Sequence, residues 1–165
     1  MKMKIVPSVI GCLCIAIAAF SQTSDAEADA IINLLGVQKK QAVAQLVAVS
    51  GKDSVAFWKL YDEYQEKNKG TIKARLRIYE RTVKAYGRMT PTVADSLANS
   101  YFANRGEQEM SLEIYYKKIK AATNAVIAFE FYQAETYLLT MLRAQIMQQV
   151  PTYGAIQKAA VKNPR

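Results

Sequence analysis

Residues 53–86 read DSVAFWKLYDEYQEKNKGTIKARLRIYERTVKAY, and this stretch decides the fold. Phe57, Tyr61, Tyr64, Asn68, Ile72, Leu76, Tyr79, Val83 and Tyr86 recur at steps of three and four. That spacing keeps them on one face of a helix and does not fit the two-residue alternation of a half-buried strand. More than thirty residues rising 1.5 Å each make a rod on the order of 50 Å long. Asp53 is placed to cap its start. Gly87 and then Met89-Thr90-Pro91 stop it, with Thr90 as the cap of the next helix and Pro91 tolerated at its first position.

Outward from this segment the same period continues on both sides. Leu97, Tyr101, Arg105, Gln108, Leu112, Tyr115 and Ile119 describe the returning helix, and the polar members at 105 and 108 together with Gly106 predict a loose or kinked seam in its middle. From about residue 124 to residue 150, Ile127, Phe131, Glu135, Leu138, Leu142, Ile146 and Val150 share a face, with Thr123 or Asn124 as cap and Pro151 as terminator. Upstream, residues 26–49 read as a shorter apolar helix with Leu34, Val37, Leu46 and Val49 in the core, broken at Gly36 and closed by Ser50-Gly51. No alternating strand pattern with turn chemistry occurs. The expected architecture is all-α: an elongated antiparallel helical hairpin or bundle of about four helices, one domain over residues 22–151, followed by a flexible tail over 152–165.

The beginning of the chain constrains the chemistry. Lys2 and Lys4 precede an uncharged, mostly apolar run over residues 5–20, and Ala19-Phe20-Ser21 forms a small-x-small cleavage site. A basic start, a short apolar core and such a site are a secretory signal, and the run is shorter than the roughly 20 residues of a spanning helix. We expect a signal peptide over 1–21 and a periplasmic mature protein. Val9-Ile10-Gly11-Cys12 offers lipidation at Cys12 as the alternative, at the expense of a shortened apolar core. Loss of residues 1–21 removes Lys2 and Lys4 and lowers the net charge from +8 to +6. It also removes Cys12 and Cys14, the only two cysteines, so disulfides cannot contribute to the mature fold.

Catalytic and metal chemistry find no foothold. Without His, and without Cys beyond the signal, the usual zinc, copper and haem ligand sets are missing. Gly51-Lys52-Asp53-Ser54 lacks the glycine-rich lead and preceding strand of a phosphate loop and reads as a helix-turn cap. Asp62 with Glu66, and Glu109 with Glu113, lie four apart, but Glu63 with Lys67, Glu66 with Lys69 and Glu113 with Lys117 have the spacing of ordinary surface ion pairs. Glu135 stands apart, since its register places it with Phe131 and Leu138. A buried carboxylate needs a cation or several donors, and Arg75, Arg77 or Arg105 is the expected partner. We therefore expect no enzyme, no catalytic residue, no metal and no cofactor.

Charge is the more telling feature. Lys67, Lys69, Lys73, Arg75, Arg77, Arg81, Lys84 and Arg88 face the single acid Glu80 over residues 67–88. Such an excess should leave most of these cations without helical partners and surround the distal half of the hairpin with a positive field. Lys73, Arg77, Arg81, Lys84 and Arg88 are the candidate client- or partner-binding residues. Export argues against nucleic acid as the partner. Acidic unfolded chains, envelope proteins and an anionic membrane surface remain, with a homodimer as one assembly the chain allows.

Phe57-Trp58-Lys59-Leu60-Tyr61-Asp62-Glu63-Tyr64-Gln65, the basic helix after it, the Met89-Thr90-Pro91 turn, Ala94, Phe131-Tyr132-Gln133-Ala134-Glu135 and Pro151 together resemble small exported helical proteins of Gram-negative bacteria grouped with the Spy/CpxP-like periplasmic family. The resemblance covers roughly residues 38–151. Lys59 stands where proline is expected, and Val49-Ser50-Gly51-Lys52-Asp53 replaces the family's Leu-Thr-x-x-Gln motif. What the resemblance implies is a non-enzymatic chaperone or envelope-stress accessory protein. The alternative is a structural or adaptor protein of the cell envelope docking on one protein partner.

Overall fold

The computed structural model describes residues 25–162. The expected signal segment and the alternative lipidation site at Cys12 lie outside them. Helix α1 spans Asp25–Leu46, α2 Gly51–Ala85, α3 Pro91–Ala122, α4 Ala125–Gln149 and α5 Tyr153–Lys162; a 3-10 turn, Tyr86–Arg88, follows α2. No strand occurs among the described residues. The first four helices form an antiparallel bundle. Asp25 meets Arg77 while Lys40 meets Asp62, so α1 runs against α2. Asn104 reaches Thr71 while Lys118 lies beside Glu63, so α3 also runs against α2. Helix α4 returns along α3 and closes against α1, where Ala48 and Lys39 meet Glu130 and Glu135.

The boundaries follow from local chemistry. Thr90 Oγ1 accepts from the Val93 amide at 3.3 Å and Pro91 opens α3, as the spacing anticipated. Asn124 Oδ1 accepts from both Val126 and Ile127, which makes Asn124 rather than Thr123 the cap of α4. At α2 the cap position belongs to Ser50, not Asp53. Gly51 there has φ +58°, a left-handed conformation in which a β-carbon is crowded by its own backbone. Asp53 sits in the first turn of α2, where its charge opposes the positive end of the helix.

At the end of the bundle that holds the α1–α2 and α3–α4 connections, Phe57, Tyr61, Tyr64, Leu112, Tyr115, Ile119, Phe131 and Val43 form a closed core. Its aromatic rings meet largely edge to face, Tyr64 lying 5.3 Å from Phe131 at 87°. Phe57, Tyr61 and Tyr64 are buried and Trp58 packs against them partly covered, so this block anchors helices to one another. At α1 the structure corrects the expected face. Leu34 and Val37 are 55% and 59% exposed, and Ile32, Ala42, Val43 and Val47 are buried instead. Helix α1 also passes through Gly36 without a break. The apolar residues of this segment, Ile32, Leu34, Leu35 and Val37 among them, point to several sides of the helix, so their spacing cannot choose a face; contact with α2 and α4 does.

Helix α3 runs without a break through the loose or kinked seam expected near residue 105. Arg105 points outward and Asn104 takes the inner position, donating to Thr71 O at 2.8 Å and accepting from Arg75 Nε at 2.5 Å. Two satisfied bonds across α2 and α3 thus replace the apolar contact the register suggested. The expected flexible tail over 152–165 is helical over Tyr153–Lys162 with no buried side chain. Tyr86 joins it to the hairpin end, its hydroxyl donating to Pro151 O at 2.5 Å and its ring lying 5.8 Å from that of Tyr153.

Candidate functional site

The five candidate cations all lie on the last thirteen residues of α2 and the turn that follows, yet α1 divides them into two groups. The first two turns of α1 carry Asp25 and Asp29. Lys73 Nζ is 3.0 Å from Asp29, and Arg77 reaches Asp25 at 2.6 Å and Glu80 at 2.8 Å. Its hydrogen bond from Arg77, with the Lys73 charge nearby, holds Asp25 below the ordinary carboxylate range. The bond to Asp29, with help from Asp25, holds Lys73 above the ordinary amine range. These residues attach the start of α1 to α2. Among the described residues most of the row has no acid partner within α2, as expected, but Lys73 and Arg77 find acids on another helix, which the sequence of α2 alone could not supply.

The second group sits at the hairpin end. Arg81, Lys84 and Arg88 line an open groove of about 560 Å³, together with Ala85, Thr92, Val93 and Leu97. Lys84 is held by Glu80 at 2.7 Å across one turn, and its bond is the main reason Glu80 sits below the ordinary carboxylate range. Among the described residues Arg81 and Arg88 form no ion pair and are exposed. A cationic rim beside partly covered Val93 can attract an anionic chain at distance and bury apolar groups at contact. Of the remaining cations in the row, Lys69 pairs with Glu66, and Arg75 turns inward toward Asn104.

Glu135 is fully buried, as its register predicted, but none of the three arginines reaches it. Lys39 Nζ from α1 lies 2.8 Å from Oε2, Tyr64 donates to the same oxygen at 2.9 Å, and Tyr61 donates to Oε1 at 3.0 Å. Burial, reinforced by the Glu135 charge, pushes both phenols up, so they stay protonated and act as donors. Lys39 lies between Ile32 and Ala42–Val43 on the buried face of α1, a face that only packing reveals, and the ammonium also sits 5.2 Å from the centroid of the Tyr64 ring. Side chains of α1 and α2 converge on a carboxylate of α4, so the cluster joins the three helices. Among the described residues no group of three or more acidic, His or Cys side chains could hold a metal ion. No described helix is long and apolar enough to cross a membrane.

The chain was compared with family models, curated proteins and solved structures, and none matched it.

Proposed function

We propose that the protein is a non-enzymatic binding protein of the periplasm, a Spy/CpxP-like chaperone or envelope-stress accessory protein that holds unfolded or envelope proteins on a basic, aromatic-rich helical surface. The observation that carries this reading is the groove at the hairpin end, where Arg81, Lys84 and Arg88 border Val93 and Leu97 and two of the three cations have no acid beside them. Exposed Phe102, Phe129, Tyr132 and Tyr137 on α3 and α4 supply further apolar contact area of the kind a client-holding surface requires. The export signal and the resemblance of the aromatic block support the same class. Lys73 and Arg77 serve the fold in this reading, which narrows the binding set to Arg81, Lys84 and Arg88.

The test is suppression of aggregation of an unrelated, acidic unfolded protein by the purified mature chain. Replacing Arg81, Lys84 and Arg88 by Glu should abolish suppression while helical content and melting temperature stay nearly unchanged. Activity should also fall as salt rises, since the Debye length contracts from about 10 Å at 0.1 M to about 3 Å at 1 M. Full activity in the charge-reversed protein refutes the assignment of the groove, and activity toward one envelope protein alone would favour an adaptor.

A further inference from the structure

Beyond the closed aromatic core, toward the hairpin end, the bundle interior changes character. Two adjoining cavities of about 50 Å³ and 100 Å³ lie there and share Leu35, Ile72, Leu139 and Leu142 as walls. The larger continues between α1 and α4 along Leu138 and Met141. The smaller ends at Arg75, Asn104, Gln108 and Arg143. Arg75 donates through Nε to Asn104, and its guanidinium carbon lies 5.7 Å from the centroid of the Tyr101 ring, but its Nη2 is buried and has no partner. Arg143 has a 3.5 Å contact to Gln108. Among the described residues neither arginine forms an ion pair.

A guanidinium stays charged at any working pH, and a buried, unpartnered donor on it is costly. That unpartnered donor of Arg75 and the second guanidinium of Arg143 lie at one end of an apolar cleft, neither in an ion pair among the described residues, and together call for an anion with an apolar body. Lys39 also borders the larger cavity, but it is already paired with Glu135 and does not compete for the headgroup. A water-sized group needs roughly 10–15 Å³ on this measure, so the cavities hold several methylene-sized groups in file and exclude a two-chain body.

We propose that this cleft binds a single acyl chain with an anionic head, the head on Arg75 and Arg143 and the chain along Leu139, Leu142, Leu138 and Met141. The site is separate from the groove at Arg81, Lys84 and Arg88 and does not rest on the client-binding reading.

The test is calorimetric titration of the protein as the cell processes it, using sodium dodecanoate below its micelle concentration, a single-chain lysophosphatidylglycerol, and acetate. We expect one acyl ligand per chain and no binding of acetate. Arg143→Met should weaken binding at least tenfold with the melting temperature unchanged. Arg75→Met should also weaken binding at least tenfold, with a lower melting temperature from the lost bond to Asn104, and Arg75→Lys should recover part of the binding. Leu139→Trp, which fills both cavities, should abolish binding. Tighter binding of dodecanoate assigns the free acid as the source, and tighter binding of the lysolipid assigns a phospholipid. Absence of saturable binding overturns the proposal, as does binding that survives Leu139→Trp. Binding lost in Leu139→Trp but unchanged in both Met variants overturns the anionic head.

Discussion

Replacing Lys39 by Met removes the only cation that, among the described residues, pairs with Glu135, a carboxylate that is 0% exposed. Met keeps the length and the apolar contact of the lysine stem, so the change is electrostatic. Tyr61 and Tyr64 still donate to Glu135, at 3.0 and 2.9 Å, but a buried charge loses its counterion. Removing one partner of a buried pair costs about 3–5 kcal/mol, whereas replacing the whole set by apolar groups of similar volume is often neutral. The single variant should therefore unfold about 4 kcal/mol more readily. At roughly 2–4 °C per kcal/mol for a chain of this size, its melting temperature should fall by about 10 °C or more. The quadruple variant Lys39→Met, Glu135→Met, Tyr61→Phe, Tyr64→Phe leaves no orphaned polar group and should recover most of that loss. Urea unfolding followed by Trp58 fluorescence and by helical circular dichroism measures both, since Trp58 packs against the adjoining core. A cost below about 1 kcal/mol for the single variant refutes the reasoning, as does a quadruple variant no more stable than the single one.

Two further outcomes follow from named contacts. Asn124→Ala deletes the acceptor for two amides at the start of α4 and should cost about 1 kcal/mol in the same denaturation assay. Acid should release the start of α1 before the aromatic core. Asp25 and Glu80 both have depressed folded-state values, so the stability they lend is present above their ordinary values of 3.8 and 4.5 and is lost as pH falls below them. Hydrogen exchange should therefore show protection in the first turns of α1 falling between about pH 4 and pH 2. Lys73→Glu with Arg77→Glu should produce the same loosening at neutral pH.

The helical class, the hairpin turn and the aromatic anchors were legible because each rests on information local to one segment. The three-and-four spacing of Phe57, Tyr61 and Tyr64 selects a helix face wherever the partner lies, and Thr90-Pro91 stops and restarts a helix through its own backbone chemistry. The inward placement of Glu135 was legible for the same reason. Its partner was not, because Lys39 is 96 positions away in the sequence and only the antiparallel docking of α1 brings it within 2.8 Å.

The sequence by itself determined that residues 67–88 carry a one-sided positive charge; tertiary structure decided what that charge is used for. Asp25 and Asp29 neutralise Lys73 and Arg77 from another helix, while Arg81 and Arg88 lie beyond the reach of α1 and keep their charge facing solvent. The face of α1 was likewise a tertiary decision, since its apolar residues, Ile32, Leu34, Leu35 and Val37 among them, point to several sides and mark no single stripe until neighbouring helices cover one. Periodicity fixes which residues share a side of a helix, and packing alone fixes which acid, cation or cavity that side meets.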